Sequence, residues 1–313
     1  MVSLLTTRRR QKCLLALAIA LTVPIAGCVT PPHQPPAPSS TQPKHNWPPL
    51  LYDFRFQWTA EPGFDLTTDW AIPLRAYLES WLIISHTDDF DAGYPGYLRA
   101  TPELLERGST EWAHTPYAKR YIRGFKDEPT HGNIKPTVGN ETLHVLRVEP
   151  IPSGFRAFVC DMTFGVYLRS PDGYTPIAYE YARKSGGADA GNVKTWRIEF
   201  SDQTAAANGS PPQPVRPQFG PLPAPTTDVF GPWFVTGADE VDLWADTDFP
   251  GLVPGSPEDT QRTHEAIAAQ DAMKEECLAR YPLDAAQRAK QATTILTDAP
   301  PIEPAAPGWP EKE

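Results

Sequence analysis

The stretch LHVLRVEPIPSGFRAFVCDMTFGVYLR, residues 143–169, contains two runs rich in β-branched and aromatic residues. These runs are Leu143–Pro150 and Phe155–Arg169, and Pro152-Ser153-Gly154 between them has the composition of a turn. Two further runs of the same character follow, at Thr175–Arg183 and Val193–Phe200. Together the four runs predict an antiparallel meander.

Helices are predicted on the N-terminal side of this meander. Within residues 72–85, Leu74, Tyr77, Leu78, Trp81 and Leu82 recur at helical spacing and form one apolar face. Residues 101–108 and 115–124 each begin with a Thr-Pro pair and end on glycine, which is typical of short helices. Helices followed by an antiparallel sheet predict the α+β class.

This order of elements resembles the NTF2-like fold, in which a curved antiparallel sheet wraps a long helix into a cone. The resemblance is architectural and covers about residues 65–202, without a diagnostic motif. The alternative is a lipid-carrying half-barrel of the kind found in actinobacterial envelope lipoproteins, which suits three early helices less well. The Ala-, Pro- and Asp-rich composition also resembles that of uncharacterised actinobacterial cell-envelope lipoproteins.

Residues 1–27 are predicted to be a signal peptide. Three arginines and Lys12 precede an apolar stretch, Leu14–Ala26, which is too short to span a bilayer. Ile25-Ala26-Gly27-Cys28 resembles the lipobox of bacterial lipoproteins. That resemblance implies cleavage between Gly27 and Cys28, acylation of Cys28, and anchoring on the extracytoplasmic face of the cell membrane. The alternative is an ordinary secretory signal with a chance cysteine.

Composition divides the rest of the chain into five predicted segments. They are a lipidated cysteine with a Pro-rich spacer (28–49), an α+β body (50–203), a Pro-rich linker (204–227), an acidic C-terminal segment with a helix (228–298) and a disordered tail (299–313). The helix of the acidic segment opens at Ser256-Pro257 and ends before Pro282.

The net charge of −10 speaks against nucleic acid as a partner, because phosphates are bound by clustered lysines and arginines. No G-x-S-x-G, glycine-rich phosphate loop, H-E-x-x-H or C-x-x-C motif is present. The sequence therefore predicts no catalytic residue, no cofactor and no metal site from motifs.

Two weaker constellations remain. The NTF2-like resemblance implies that a histidine or carboxylate inside the cone acts as a general base, and His144 and Asp161 are the strand residues suited to that role. The alternative places both at sheet edges or on the outer face.

A basic cluster that would hold an anionic group consists of Lys119, Arg120, Arg123 and Lys126. Docking against the acidic C-terminal segment, or an ordinary solvated face, explains the cluster as well.

The cysteines predict a disulfide between Cys160 and Cys277. Cys13 leaves with the signal and Cys28 carries lipid, so two thiols remain in an oxidising compartment. Cys160 alternates with apolar strand residues, and Cys277 lies on the apolar side of its helix. The bridge would staple that helix onto the sheet. Two separate buried thiols are the alternative.

These observations predict a lipid-anchored cell-envelope protein with a non-catalytic role, binding an apolar ligand or another envelope protein. The alternative is a small-substrate isomerase or dehydratase that uses a pocket in the cone.

Replacing Cys28 by serine should remove the protein from the membrane fraction and leave a larger, unprocessed precursor, because serine has no thiol to acylate. Detergent-phase partitioning and gel mobility measure both effects. Cys13→Ser, inside the signal but outside the lipobox-like sequence, is the matched control and should behave like the wild type. Unchanged partitioning of the Cys28 variant would contradict the anchor.

Overall fold

The computed structural model describes residues 47–124, 134–185, 187–189, 191–202 and 217–311. The predicted signal peptide, Cys28 and Lys126 lie outside these residues. In the described ranges no helix has both the length and the apolar character needed to cross a bilayer.

Seven strands and eight α-helices make up the described chain. The strands are β1 (Phe54–Ala60), β2 (Thr137–Ile151), β3 (Gly154–Met162), β4 (Val166–Ser170), β5 (Gly173–Pro176), β6 (Val193–Asp202) and β7 (Trp233–Glu240). The helices are α1 (Ala71–Thr87), α2 (Tyr97–Ala100), α3 (Thr110–His114), α4 (Tyr117–Arg120), α5 (Tyr179–Ser185), α6 (Ala245–Asp248), α7 (Pro257–Arg280) and α8 (Ala285–Thr293).

All seven strands belong to one strongly curled sheet. Its order is β5-β4-β2-β3-β6-β7, and each of these neighbours is antiparallel. β1 pairs with β2 in parallel, with Phe54 opposite Gly139 and Ala60 opposite Val145. The predicted α+β class with a curved antiparallel sheet is confirmed. β7 comes from the acidic C-terminal segment, so that segment and the predicted body share one sheet.

Several local predictions need correction. β1 precedes the helices and was not predicted. The run Thr175–Arg183 is not a strand, because β5 ends at Pro176 and α5 begins at Tyr179. Residues 101–108 form no helix, and α3 begins only at Thr110, after Ser109 caps it through the backbone N–H of Trp112. The long helix of the C-terminal segment is confirmed, with Ser256 as its cap.

Both faces of the central strand β3 are buried. Phe155, Ala157 and Val159 pack in the large core around α1. The alternating residues Phe158, Cys160 and Met162 lie in a second cluster with Met273 and Cys277 of α7. Since successive side chains of a strand point to opposite faces, β3 separates an α1 face from an α7 face.

The predicted pairing of Cys160 with Cys277 is confirmed. The two cysteines form a disulfide with their Cα atoms 5.6 Å apart and a sequence separation of 117. Closing a loop of that length contributes about 4–5 kcal/mol on the chain-entropy model. Since only Gln270, Met273 and Cys277 of α7 are buried, the bridge holds a largely exposed helix onto β3.

A buried carboxylate on α1 accepts hydrogen bonds from three separate parts of the chain. Glu79 accepts hydrogen bonds from Trp58 Nε1 of β1 at 2.7 Å, from the Tyr94 hydroxyl at 2.7 Å and from Trp309 Nε1 at 2.8 Å. Arg75, one turn earlier and fully buried, stacks over the ring of Trp309 at 4.2 Å. Burial raises the pKa of Glu79, and the Arg75 guanidinium opposes that rise.

The C-terminal residues are therefore part of the fold. Trp309 is 1% exposed, and Arg75 donates to the carbonyls of Pro307 and Gly308. Ala306 exchanges backbone hydrogen bonds with the edge of β1, to Phe56 O at 3.2 Å and from Trp58 N at 2.6 Å. The prediction of a disordered tail is wrong over residues 299–311, because this segment covers a sheet edge and fills the core.

Part of the predicted Pro-rich linker also packs on the body. In residues 217–227, Ala224 is buried and Gln218 donates its backbone N–H to Thr67 O.

Replacing Trp309 by alanine should lower the free energy of unfolding by about 3–5 kcal/mol, because it empties a core site and removes a hydrogen bond to Glu79. Denaturant unfolding measures the change. The matched control is Trp112→Ala, since Trp112 is only half-buried on the short helix α3, and its loss should be clearly smaller. Equal losses in the two variants would contradict the role given to the tail.

Candidate functional site

A cleft of about 480 Å³ opens beside the second half of α1, and residues of α7 and of the α7-side cluster also line it. Side chains from α1, β2, β3, β6 and the start of α5 line it, and α7 and the end of β7 complete the rim. Its polar lining comprises Ser85, His86, Glu141, Asp161, Thr163, Tyr181, Lys194, Glu240 and Lys274, and its apolar lining comprises Leu82, Ile177, Ala178 and Val193.

His86 and Glu141 form a buried pair at this cleft. His86 lies in the last turn of α1, and its Nε2 is 2.9 Å from Glu141 Oε2. Glu141 is 1% exposed and shares the α1 face of β2 with Leu143 and Val145, which alternate with it along the strand. The apolar patterns of α1 and β2 would place apolar side chains at these two positions. The fold instead places a polar pair there.

Asp161 of β3 is the third buried titratable group. It accepts a hydrogen bond from Trp196 Nε1 to Oδ2 at 3.2 Å, whereas Oδ1 accepts none from an N–H or hydroxyl group of the described residues. Asp161 is 1% exposed, and the carboxyl of Glu141 is close enough to influence its charge. Two carboxyls that face each other in a buried site favour a proton held between them.

Burial shifts the proton affinities of all three groups. It raises the pKa of Glu141 to about 7 and lowers the pKa of His86 to about 4. Burial, reinforced by the neighbouring Glu141, raises the pKa of Asp161 well above the ordinary range. Near neutral pH the site thus holds a neutral imidazole and a Glu141 that exchanges its proton, next to an Asp161 whose proton affinity is raised. Such a set is able to accept one proton and donate another.

Two lysines complete the polar lining. Lys194 lies opposite Asp161 in the β3–β6 register, and its Nζ is 6.0 Å from the ring centroid of Trp81. Lys274 lies on α7, one turn before the disulfide-bonded Cys277. Neither ammonium group has a carboxylate within 4.0 Å in the part of the chain that the structure describes.

The structure separates the two residues that the sequence suggested as candidate general bases. Asp161 lines the cleft, so its assignment to an outer face or edge is wrong. His144 lies on the opposite face of β2, where Nδ1 shares a hydrogen bond with Thr59 Oγ1 at 2.7 Å and Nε2 is 3.5 Å from Glu61 Oε1. His144 therefore belongs to a different cluster and is not part of the cleft.

The sequence analysis missed His86 and Glu141. The signal for Glu141 was present, because it alternates with Leu143 and Val145 and extends the predicted strand by one step toward the N-terminus. His86 lies one residue beyond the predicted helix 72–85, and α1 continues through Thr87. Both residues were missed because the predicted helix ended before His86 and the predicted strand began after Glu141.

Two arginines of the basic cluster bond backbone carbonyls nearby. Arg120 donates to the carbonyls of Thr115 and Ala113, and Arg123 donates to those of Leu98 and Thr101. Both guanidiniums therefore support the local backbone, and anion binding by this cluster stays a prediction. Lys119 is exposed, and Lys126 lies outside the described residues. The described ranges contain no group of three His, Cys, Asp or Glu side chains placed to hold a metal ion.

Glu141→Gln should make the protein relatively more stable as the pH rises. The folded state raises the pKa of Glu141 from 4.5 to about 7, so its stabilising contribution is complete below pH 4.5 and is lost on approaching pH 7. Glutamine has no proton to lose. The free energy of unfolding of the variant minus that of the wild type should therefore increase by about 3 kcal/mol across this window.

Urea unfolding at pH 4.5, 5.5, 6.5 and 7.5 measures this difference. Glu103→Gln, at an exposed position, is the control and should give a nearly constant difference. A constant difference for Glu141→Gln as well would show that Glu141 does not titrate in a buried site.

The chain matches no protein-family model, no curated protein and no solved structure at a significant level.

Proposed function

We propose that this chain is a lipid-anchored protein of the cell envelope that binds a small ligand in the cleft beside α1. The burial of His86, Glu141 and Asp161 together at this cleft carries the proposal. Burying titratable groups with shifted pKa values costs stability, and such groups cluster at binding and catalytic sites. Apart from Arg75 and the fully bonded Glu79, the remainder of the α1 face is packed with apolar side chains.

The anchoring part of the proposal rests on the sequence around Cys28. The predicted signal carries four basic and no acidic residues, so the net charge of −10 becomes −14 after cleavage. A protein of that charge is repelled by anionic lipid surfaces, and acyl chains on Cys28 would supply the attachment.

The second candidate function is that of a small-substrate isomerase or dehydratase. The observation that favours it is the contrast between Glu141, with a pKa of about 7, and its neighbour Asp161, whose pKa burial and the carboxyl of Glu141 raise well above the ordinary range. In this case Glu141 removes a proton from the substrate, Asp161 donates a hydrogen bond to the oxygen that gains charge, and His86 holds Glu141 in place. The open cleft and its mixed lining favour the binding role.

Native mass spectrometry of the full-length protein in non-ionic detergent tests the binding role. We expect a bound small molecule on the wild type and its loss in Asp161→Asn, because the amide removes the ionisable group while preserving shape. Glu103→Gln should retain the molecule. If the wild type carries no bound molecule and a small-molecule library shifts no resonance of cleft residues, the binding role is wrong.

Deuterium exchange tests the enzymatic candidate. Cyclohexanone in D₂O serves as a general probe of proton removal next to a carbonyl. An active base would accelerate exchange over buffer, and Glu141→Gln would abolish the acceleration without unfolding the protein. Equal exchange in buffer, wild type and variant would support the binding role over the catalytic one.

A further inference from the structure

The cleft has more carboxyl groups than cations to balance them. Glu141, Asp161 and Glu240 line it from three different strands. In the described ranges none of the three has a lysine or arginine nitrogen within 4.0 Å. His86 bonds Glu141, Trp196 bonds Asp161 and Gln270 bonds Glu240, and the carboxyls of Glu141 and Asp161 also bond each other.

A second depression extends the cleft along α7. It has a volume of about 500 Å³ and shares Gly191, Val193 and Lys274 with the first. Asp271 and Glu275 line it, and neither has an ion pair with a described side chain. The groove is therefore acidic at its outer end as well as at its buried end.

Two lysines face these five carboxyls. Lys194 and Lys274 would leave an excess of three negative charges if every carboxyl were ionised. Each ammonium is more than 4.0 Å from every described carboxylate, so neither is committed to one acid. Burial raises the pKa values of Glu141, Asp161 and Glu240, and Lys194 opposes this rise in each case.

Asp161 and Glu141 together indicate the kind of ligand. Asp161 is 1% exposed and lines the cleft, its Oδ1 accepts no hydrogen bond from an N–H or hydroxyl group of the described residues, and its carboxyl bonds that of Glu141 through a shared proton. Two buried carboxyls that share one proton are costly to ionise together, and an ammonium group of a ligand would donate to both in place of that proton. A ligand carboxylate would instead face three protein carboxyls.

The walls define the rest of the ligand. Leu82, Ile177 and Ala178 line the cleft next to the carboxyls, and Tyr181 lies at the rim with 69% of its surface exposed. These side chains suit a short alkyl portion, while the inner carboxyls suit a charged nitrogen.

We propose that the cleft binds a small organic cation, a primary alkylamine whose ammonium group reaches Asp161 and Glu141 and whose alkyl part lies against Leu82 and Ile177. This inference rests on the proposed binding function and specifies its ligand class. The ammonium group donates to Asp161 Oδ1 and supplies the positive charge that Lys194 and Lys274 do not.

Three probes of equal chain length test the class: butylammonium, butyrate and 1-butanol. The full-length protein in non-ionic detergent is titrated with each, and the indole N–H resonance of Trp196, which bonds Asp161, reports on the cleft. We expect butylammonium to bind at least about tenfold more tightly than butyrate. Asp161→Asn should weaken butylammonium binding by about tenfold, whereas Glu103→Gln should leave it unchanged.

Lys194→Met provides the sharpest comparison. Removing a like charge from the cleft should strengthen butylammonium binding several-fold, whereas a lysine that served as an anion anchor would give the opposite result. Lys290→Met, an exposed lysine on α8, is the matched control and should change nothing. Far-ultraviolet circular dichroism and urea unfolding verify that each variant remains folded.

Three results overturn the inference. They are tighter binding of butyrate, weaker butylammonium binding in Lys194→Met, or equal binding of all three probes. If no probe binds while native mass spectrometry still shows a bound molecule without a positive charge, the ligand class is wrong and the binding function stands. If no probe binds and no molecule co-purifies, both are wrong.

Discussion

The hydrogen bonds to Glu79 are the interaction on which most of the fold depends. A carboxylate in the middle of α1 is surrounded by apolar side chains, and its burial is tolerated because three donors reach it. Trp58 comes from β1, Tyr94 from the segment after α1, and Trp309 from the C-terminal end of the chain. One buried acceptor therefore fixes the edge strand, the loop and the tail against the same helix. An apolar residue at this position would pack but would not select these three partners.

The disulfide and the cleft are positioned by adjacent residues of β3. Cys160 points to the α7 face and Asp161 to the α1 face, because neighbouring side chains of a strand alternate. A shift of one residue in the β3 register would exchange a structural cysteine with a buried acid. The bridge to Cys277 holds that register and also places Lys274, one turn earlier on α7, at the rim of the cleft. The stability of the sheet and the geometry of the cleft thus depend on the same part of α7, which carries both Lys274 and Cys277.

The parts of the structure that the sequence predicted are those carried by local patterns. The helical spacing of apolar residues predicted α1, the alternation of apolar residues predicted β3, and the cap at Ser256 predicted the start of α7. The number of cysteines left after the signal and Cys28 predicted the disulfide. The structures of β1 and of the tail were not predicted, because they depend on distant partners. The paired residues Phe54 of β1 and Gly139 of β2 are 85 positions apart, and Trp309 bonds Glu79 across 230 positions. Pro-rich composition at residues 300–313 predicted disorder, yet prolines also suit an extended segment that follows a sheet edge.

The residues of the cleft were not predicted for a related reason. His86 and Glu141 look unremarkable in the sequence, and only the curl of the sheet brings the end of α1 to the start of β2 and the end of β3. Such an arrangement places charge where core packing would be stronger, so it lowers stability at that end of the sheet. The disulfide on the opposite face of β3 offsets this loss of stability, since Cys160 is the residue next to Asp161. We infer that the covalent link to α7 is what allows a polar, proton-exchanging cleft to persist in so apolar a core.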